Sequence, residues 1–82
     1  MQKVYVYLQH QGFDFYLRDR ALTEKELYCE NCDAADTLLG VYETEEELAA
    51  KLLSLFQKGY DLLPCAEYDA IKNKYCPPEL RL

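Results

Sequence analysis

Hydrophobic and polar residues alternate with a period of two at the start of the chain. Val4, Val6 and Leu8 alternate with Tyr5, Tyr7 and Gln9, and Phe13, Phe15 and Leu17 alternate with Asp14, Tyr16 and Arg18. This pattern predicts two half-buried strands, 3–9 and 12–18, joined as a hairpin. A two-residue turn at Gln11-Gly12 pairs Leu8 with Phe15, Val6 with Leu17 and Tyr7 with Tyr16, so that both apolar sets share one face. Because Gln-Gly is a weaker turn signal than Asn-Gly, a longer loop is also compatible. A third strand is predicted over 37–42, TLLGVY, feeding directly into a helix.

The period then changes to that of a helix. Leu48, Leu52, Leu53, Leu55 and Phe56, with Ala49 between, form one apolar stripe over 45–58. Thr44 and Glu47 have the spacing of a capping box, and Glu45, Glu46 and Glu47 complement the positive end of the helix dipole. Lys58 closes the last turn and Gly59 is placed for a left-handed stop, with Tyr60 packing back on Leu55. A second capping box, Thr23 with Glu26, predicts a short helix from Glu24 to Tyr28 or Cys29, against a rival strand over 26–29. After Gly59 a brief extended segment over 60–63 stops at Pro64. A shorter helix is expected over 66–74, ended by Pro77-Pro78, with 77–82 as a frayed tail.

The fold class that follows is α+β: a small antiparallel sheet, the hairpin plus the third strand, packed against one main amphipathic helix and a shorter C-terminal helix. Leu48, Leu52, Leu53 and Phe56 are expected to pack on Val4, Val6, Phe15 and Leu17. The 82 residues make a single domain, 1–82, with half of them hydrophobic. No apolar run approaches the roughly 18 residues of a membrane span, and no secretory signal is seen, so the expected location is cytoplasmic. In that compartment thiols or metal ligands are expected rather than disulfides.

Charge changes the picture because it is concentrated. Residues 24–47 carry nine acids against Lys25, a net −8, while the flanking parts carry +1 each, giving the overall −6. Such a field repels nucleic acid and anionic lipid and favours a protein partner with a basic surface. The plainer reading is solubility. Tyr5, Tyr7 and Tyr16 lie on the hairpin face opposite the apolar set, with Tyr5 opposite Arg18 for a cation–π contact. They form a candidate partner-binding platform, unless another element covers that face. A three-stranded sheet also leaves an edge through which a homodimer can form.

Cys29-Glu30-Asn31-Cys32 is the one motif with chemistry attached. A C-x-x-C pair can supply half of a zinc site, which makes Cys29 and Cys32 candidate metal ligands. Completing it with Cys65 and Cys76 conflicts with a helix over 66–75, which would set those two about 16 Å apart. Two thiolates, one further Cys and an acid or His10 remain an alternative. His10 by itself, at the hairpin tip, is assigned no role. A redox role is disfavoured, because Glu30, Asp33 and Asp36 should raise the thiol pKa and no thioredoxin-like pattern frames the motif. The plainest reading has no cofactor: Cys29, Cys65 and Cys76 are small buried hydrophobes and Cys32 is incidental. With no phosphate loop and no nucleophile–base set, an enzyme is not expected.

The acid-capped helix ending in Lys58-Gly59-Tyr60, followed by the acid- and Tyr-bearing segment 67–75, resembles the C-terminal half of small phage anti-CRISPR proteins. The acidic α+β recipe is similar too, although the likeness covers under half the chain and omits the hairpin and the C-x-x-C. The resemblance implies a nucleic-acid mimic, with Glu30, Asp33, Asp36, Glu43, Glu45 and Glu46 occupying a basic groove on an effector. Three functional expectations follow. The first is a non-enzymatic protein-binding inhibitor. The second is a zinc-stabilised regulatory domain on Cys29 and Cys32. The third is an acidic housekeeping domain.

Overall fold

A computed structural model describes residues 3–63 and Lys74. The hairpin forms from β1 (Val4–Leu8) and β2 (Asp14–Arg18), in the register set by the alternating pattern, with Val6 opposite Leu17, Tyr7 opposite Tyr16 and Leu8 opposite Phe15. The connection is longer than a two-residue turn: Gln9 N–H donates to the Asp14 carbonyl at 2.9 Å, and Gly12 supplies a φ of +71°. A Gly takes that conformation without a Cβ clash.

The short helix α1 (Glu24–Leu27) is opened by the full capping box of Thr23 and Glu26. Helix and strand then both occur, in succession: α1 leads into β3 (Tyr28–Cys29), which pairs with β4 (Ala34–Ala35) as a small ribbon of its own. Strand β5 (Thr37–Tyr42) returns antiparallel to β1 and runs into α2 (Glu45–Gln57). Gly59, at φ +92°, ends that helix as expected. Its N–H donates to the Phe56 carbonyl and the Tyr60 N–H donates to the Leu55 carbonyl, both at 3.0 Å. The reversal lays β6 (Asp61–Leu62) parallel to β2, so among the described residues the sheet has four strands in the order β5-β1-β2-β6, one more than the pattern foretold.

The core lies between α2 and one sheet face. Val6, Phe15, Leu17 and Leu62 meet Leu48, Leu52, Leu55 and Phe56, with the Phe15 and Phe56 rings 5.5 Å apart. Leu55 fills the place expected of Leu53, which is only half-buried. Full burial of a side chain such as Leu52 is worth about 1.5–3 kcal/mol. The expected helix over 66–74 and the tail over 77–82 fall outside the described residues, Lys74 excepted. Among the described residues no helix is long and apolar enough to cross a membrane.

The other sheet face is covered as well, which corrects the tyrosine platform. Tyr7 and Tyr16 are buried and stacked on each other at 5.6 Å, beneath the segment 22–36. Their hydroxyls are engaged there: the Leu22 N–H donates to the Tyr7 oxygen at 2.8 Å, and the Tyr16 O–H donates to Asp36. A buried phenol needs a polar partner, and this segment supplies both. Arg18 lies over the Tyr16 ring at 4.6 Å rather than over Tyr5, its cross-strand neighbour. Of the three tyrosines only Tyr5 keeps partial exposure.

Candidate metal centre

Three sequence-distant donors converge where the hairpin tip meets the β3–β4 ribbon. One ligand atom each from His10, Cys29 and Cys32 lies within 4.8 Å of the other two, and all three residues are half-buried. Cys29 ends β3, and the chain turns through Glu30–Asp33 to start β4, so Cys32 comes back beside it. Asp33, at φ +50°, takes the left-handed conformation that closes this turn. Asp tolerates that region better than most residues, and here its carboxylate accepts from the Tyr28 hydroxyl at 2.5 Å.

His10 is delivered by the hairpin loop and held by Asp36, which precedes β5. The pairing of Leu8 with Thr37 brings their neighbouring residues together. One Asp36 oxygen accepts from the His10 backbone N–H at 2.9 Å and lies 2.6 Å from His10 Nδ1. The other accepts from Tyr16. With Nδ1–H donated to a carboxylate, Nε2 keeps the lone pair available for a metal, the tautomer that such outer carboxylates ordinarily impose on a ligating histidine. The Asp36 hydrogen bond holds the His10 pKa above its ordinary value, against the opposing effect of burial. Burial pushes Asp36 upward, but its hydrogen bonds from Tyr16 and His10 outweigh this and leave it below the usual carboxylate range. Tyr16 is raised by burial and by its bond to Asp36.

The thiols differ from each other. Cys29 is lowered by a hydrogen bond from the Cys32 thiol and by the backbone N–H groups of Cys32 and Asn31. Cys32 is raised by the same pairing, and it accepts from Gln11 Nε2 at 2.8 Å. The expectation that neighbouring carboxylates raise both thiols is corrected for Cys29. The turn directs N–H groups at its sulfur, whereas Asp33 and Asp36 are engaged with Tyr28, Tyr16 and His10.

Cys29 and Cys32 therefore come together as the motif implies. His10, assigned no role from sequence, joins them, with Asp36 behind it. The acidic set is dispersed by contrast. Asp36 turns inward and leaves the expected partner surface, its side chain only 13% exposed. Glu43 lies 3.7 Å from Lys3, Glu45 pairs with Lys74, and Glu30 and Glu46 stay exposed. Two sequence signals bear on His10 and Asp36: the alternation that sets the hairpin tip at 10–13, and an antiparallel return of 37–42 along β1. The second cannot be read without knowing which strand neighbours which.

Comparison with protein-family models, curated proteins and solved structures finds no match to this chain.

Proposed function

We propose that this chain is a small zinc-stapled domain with a non-enzymatic, protein-binding role, its metal held by Cys29, Cys32 and His10. The observation that carries the reading is the convergence of two thiols and an imidazole whose other nitrogen is already bound to a carboxylate. Tetrahedral zinc, with bonds of about 2.0–2.3 Å, sets its ligand atoms roughly 3.3–3.8 Å apart. These three donors, within 4.8 Å of one another, need to close in by only about 1 Å, with water or a further donor in the fourth position. Two soft thiolates with an imidazole suit Zn²⁺ and disfavour Mg²⁺ or Ca²⁺. The cover gives the metal a purpose. No residue of 22–36 is fully buried, and α1 buries none of its side chains, yet this segment shields Tyr7 and Tyr16. A cover with so little apolar burial of its own gains from a metal crosslink to the hairpin.

The same atoms favour a second reading, from another class. Cys29, His10 and Asp36 stand in the order of thiol, base and orienting carboxylate that activates a nucleophile. The pairing of Cys32 with Cys29 and the C-x-x-C turn weigh toward metal. Two measurements separate the readings. Native mass spectrometry of protein purified without added metal is expected to show one zinc ion, lost on chelation together with a lowered melting temperature. Iodoacetamide is expected to alkylate Cys29 slowly before chelation and quickly after it. Metal-free protein whose Cys29 reacts rapidly at neutral pH contradicts the zinc reading and supports the nucleophile.

A further inference from the structure

Strand β5 lies at one edge of the sheet, away from the His10, Cys29 and Cys32 cluster in its backbone pairing. Strand β5 ends the sheet, and among the described residues nothing pairs with its outer backbone groups. Exposed edges in folded proteins are usually blunted by charge, Pro, brevity or a bulge that twists the edge away. This edge is six residues long, TLLGVY, with neither charge nor proline. Its one irregularity is a bulge: Val6 pairs with Gly40 and Tyr7 with Leu38, leaving Leu39 as the extra residue. The bulge places Leu38 and Val41, three positions apart, on the same face as Tyr5. Both are well exposed, at 46% and 40%. Leu39 and Tyr42 turn the other way, onto the core.

The charges near this edge in the chain are mostly acidic. Glu30 and Asp33 precede β5 in the ribbon turn, Glu43 and Glu46 follow it, and Lys25 is the single base in 24–47. At this end Lys3 lies 3.7 Å from Glu43, Lys74 pairs with Glu45 and Arg18 stands opposite Tyr5 two strands in, while Glu46 and Glu47 stay exposed. A second copy paired antiparallel along β5 would set the acids at one end of each strand against those at the other end of its mate, which opposes self-association. An extended segment with basic flanks meets the opposite situation.

We propose that β5 docks an extended segment of a partner protein as an added strand. Aliphatic residues at alternate positions of that segment would lie beside Leu38 and Val41, and Lys or Arg at its ends would face Glu30, Asp33, Glu43 and Glu46. Backbone hydrogen bonds supply the affinity, and the acidic ends select the charge of the ligand.

The test uses the protein as purified, with its metal content measured alongside. Two short synthetic peptides of alternating valine and threonine, one flanked by lysines and one by glutamates, are titrated while backbone amide NMR shifts are followed. The lysine-flanked peptide is expected to shift the amides of 37–42 and to bind at least roughly tenfold more tightly than its twin, with the preference shrinking at high salt. Val41→Lys and, separately, Leu38→Lys are expected to abolish these shifts at unchanged metal content, since both side chains are exposed. No shift in β5 at about 1 mM peptide overturns the proposal, as does equal binding of the two peptides. A dimer with the β5 amides protected before any peptide is added overturns it in favour of a second copy.

Discussion

One Asp36 oxygen serves the ring and main chain of His10 while the other takes the Tyr16 hydroxyl, so this carboxylate fixes both the tautomer and the position of the histidine. Asp36→Asn keeps the shape but weakens that hold. It is expected to lower zinc affinity roughly 10–100-fold, measured by competition with a chromophoric chelator, with His10→Ala lowering it further. Affinity unchanged in both variants removes His10 from the ligand set. A second acid permits a pH prediction away from the metal. Glu26 accepts both Arg20 guanidinium nitrogens, at 3.0 and 2.6 Å, and also the Thr23 N–H. The Arg20 bonds first, then the Thr23 N–H, bring its pKa from 4.5 down to about 2. A folded-state value below the unfolded one means that the contribution is present above the unfolded pKa and is lost as pH falls from about 4.5 toward 2. Unfolding titrations across that window are expected to show a shallower acid dependence for Glu26→Gln. The difference will be small, because the pair is exposed.

The elements differ in how far local sequence announces them. The helix stop at Gly59 was readable because Lys58-Gly59-Tyr60 states its own geometry, and the bonds to Phe56 and Leu55 follow from it. Gly59→Ala forces a Cβ into φ +92° and is expected to cost about 1–2 kcal/mol in urea unfolding. A methyl group there would meet no neighbouring atom within 4 Å, so backbone strain is the cause rather than a clash. Hairpin register was readable for a similar reason, since a one-residue slip would move Val6, Phe15 and Leu17 out of the core. The segment 22–36 was not. Its inward residues, Cys29, Cys32, Ala34 and Asp36 among them, are half-buried but mostly small or polar, so they write no apolar period into the sequence. Its two short strands are held by a ribbon turn and by polar bonds to residues far away in sequence. His10 and Tyr16 lie 26 and 20 positions from Asp36, so no local pattern announces their meeting. The tyrosine face was open for a related reason: the hairpin alone leaves undecided whether another element covers it, and the cover arrives from a segment whose path the pattern does not reveal.

Taken as a whole, the chain builds two unequal layers on one sheet. The α2 side is a conventional apolar core, and it needs nothing beyond the packing of Leu48, Leu52, Leu55 and Phe56. The 22–36 side is polar, acidic and thin, and two thiols and an imidazole meet at its margin. On the proposed reading these three donors share one metal ion. Loading the metal-stripped protein with Co²⁺, a spectroscopic stand-in for zinc, and recording its absorption puts that sharing to a direct test. Three donors on one ion predict the intense visible bands of a tetrahedral site and a sulfur-to-cobalt charge-transfer band. That charge-transfer band is expected to be lost with Cys29→Ser and Cys32→Ser, and the visible bands to shift with His10→Ala. The weak spectrum of hexaaquo cobalt, unchanged by any of these substitutions, would contradict a shared metal.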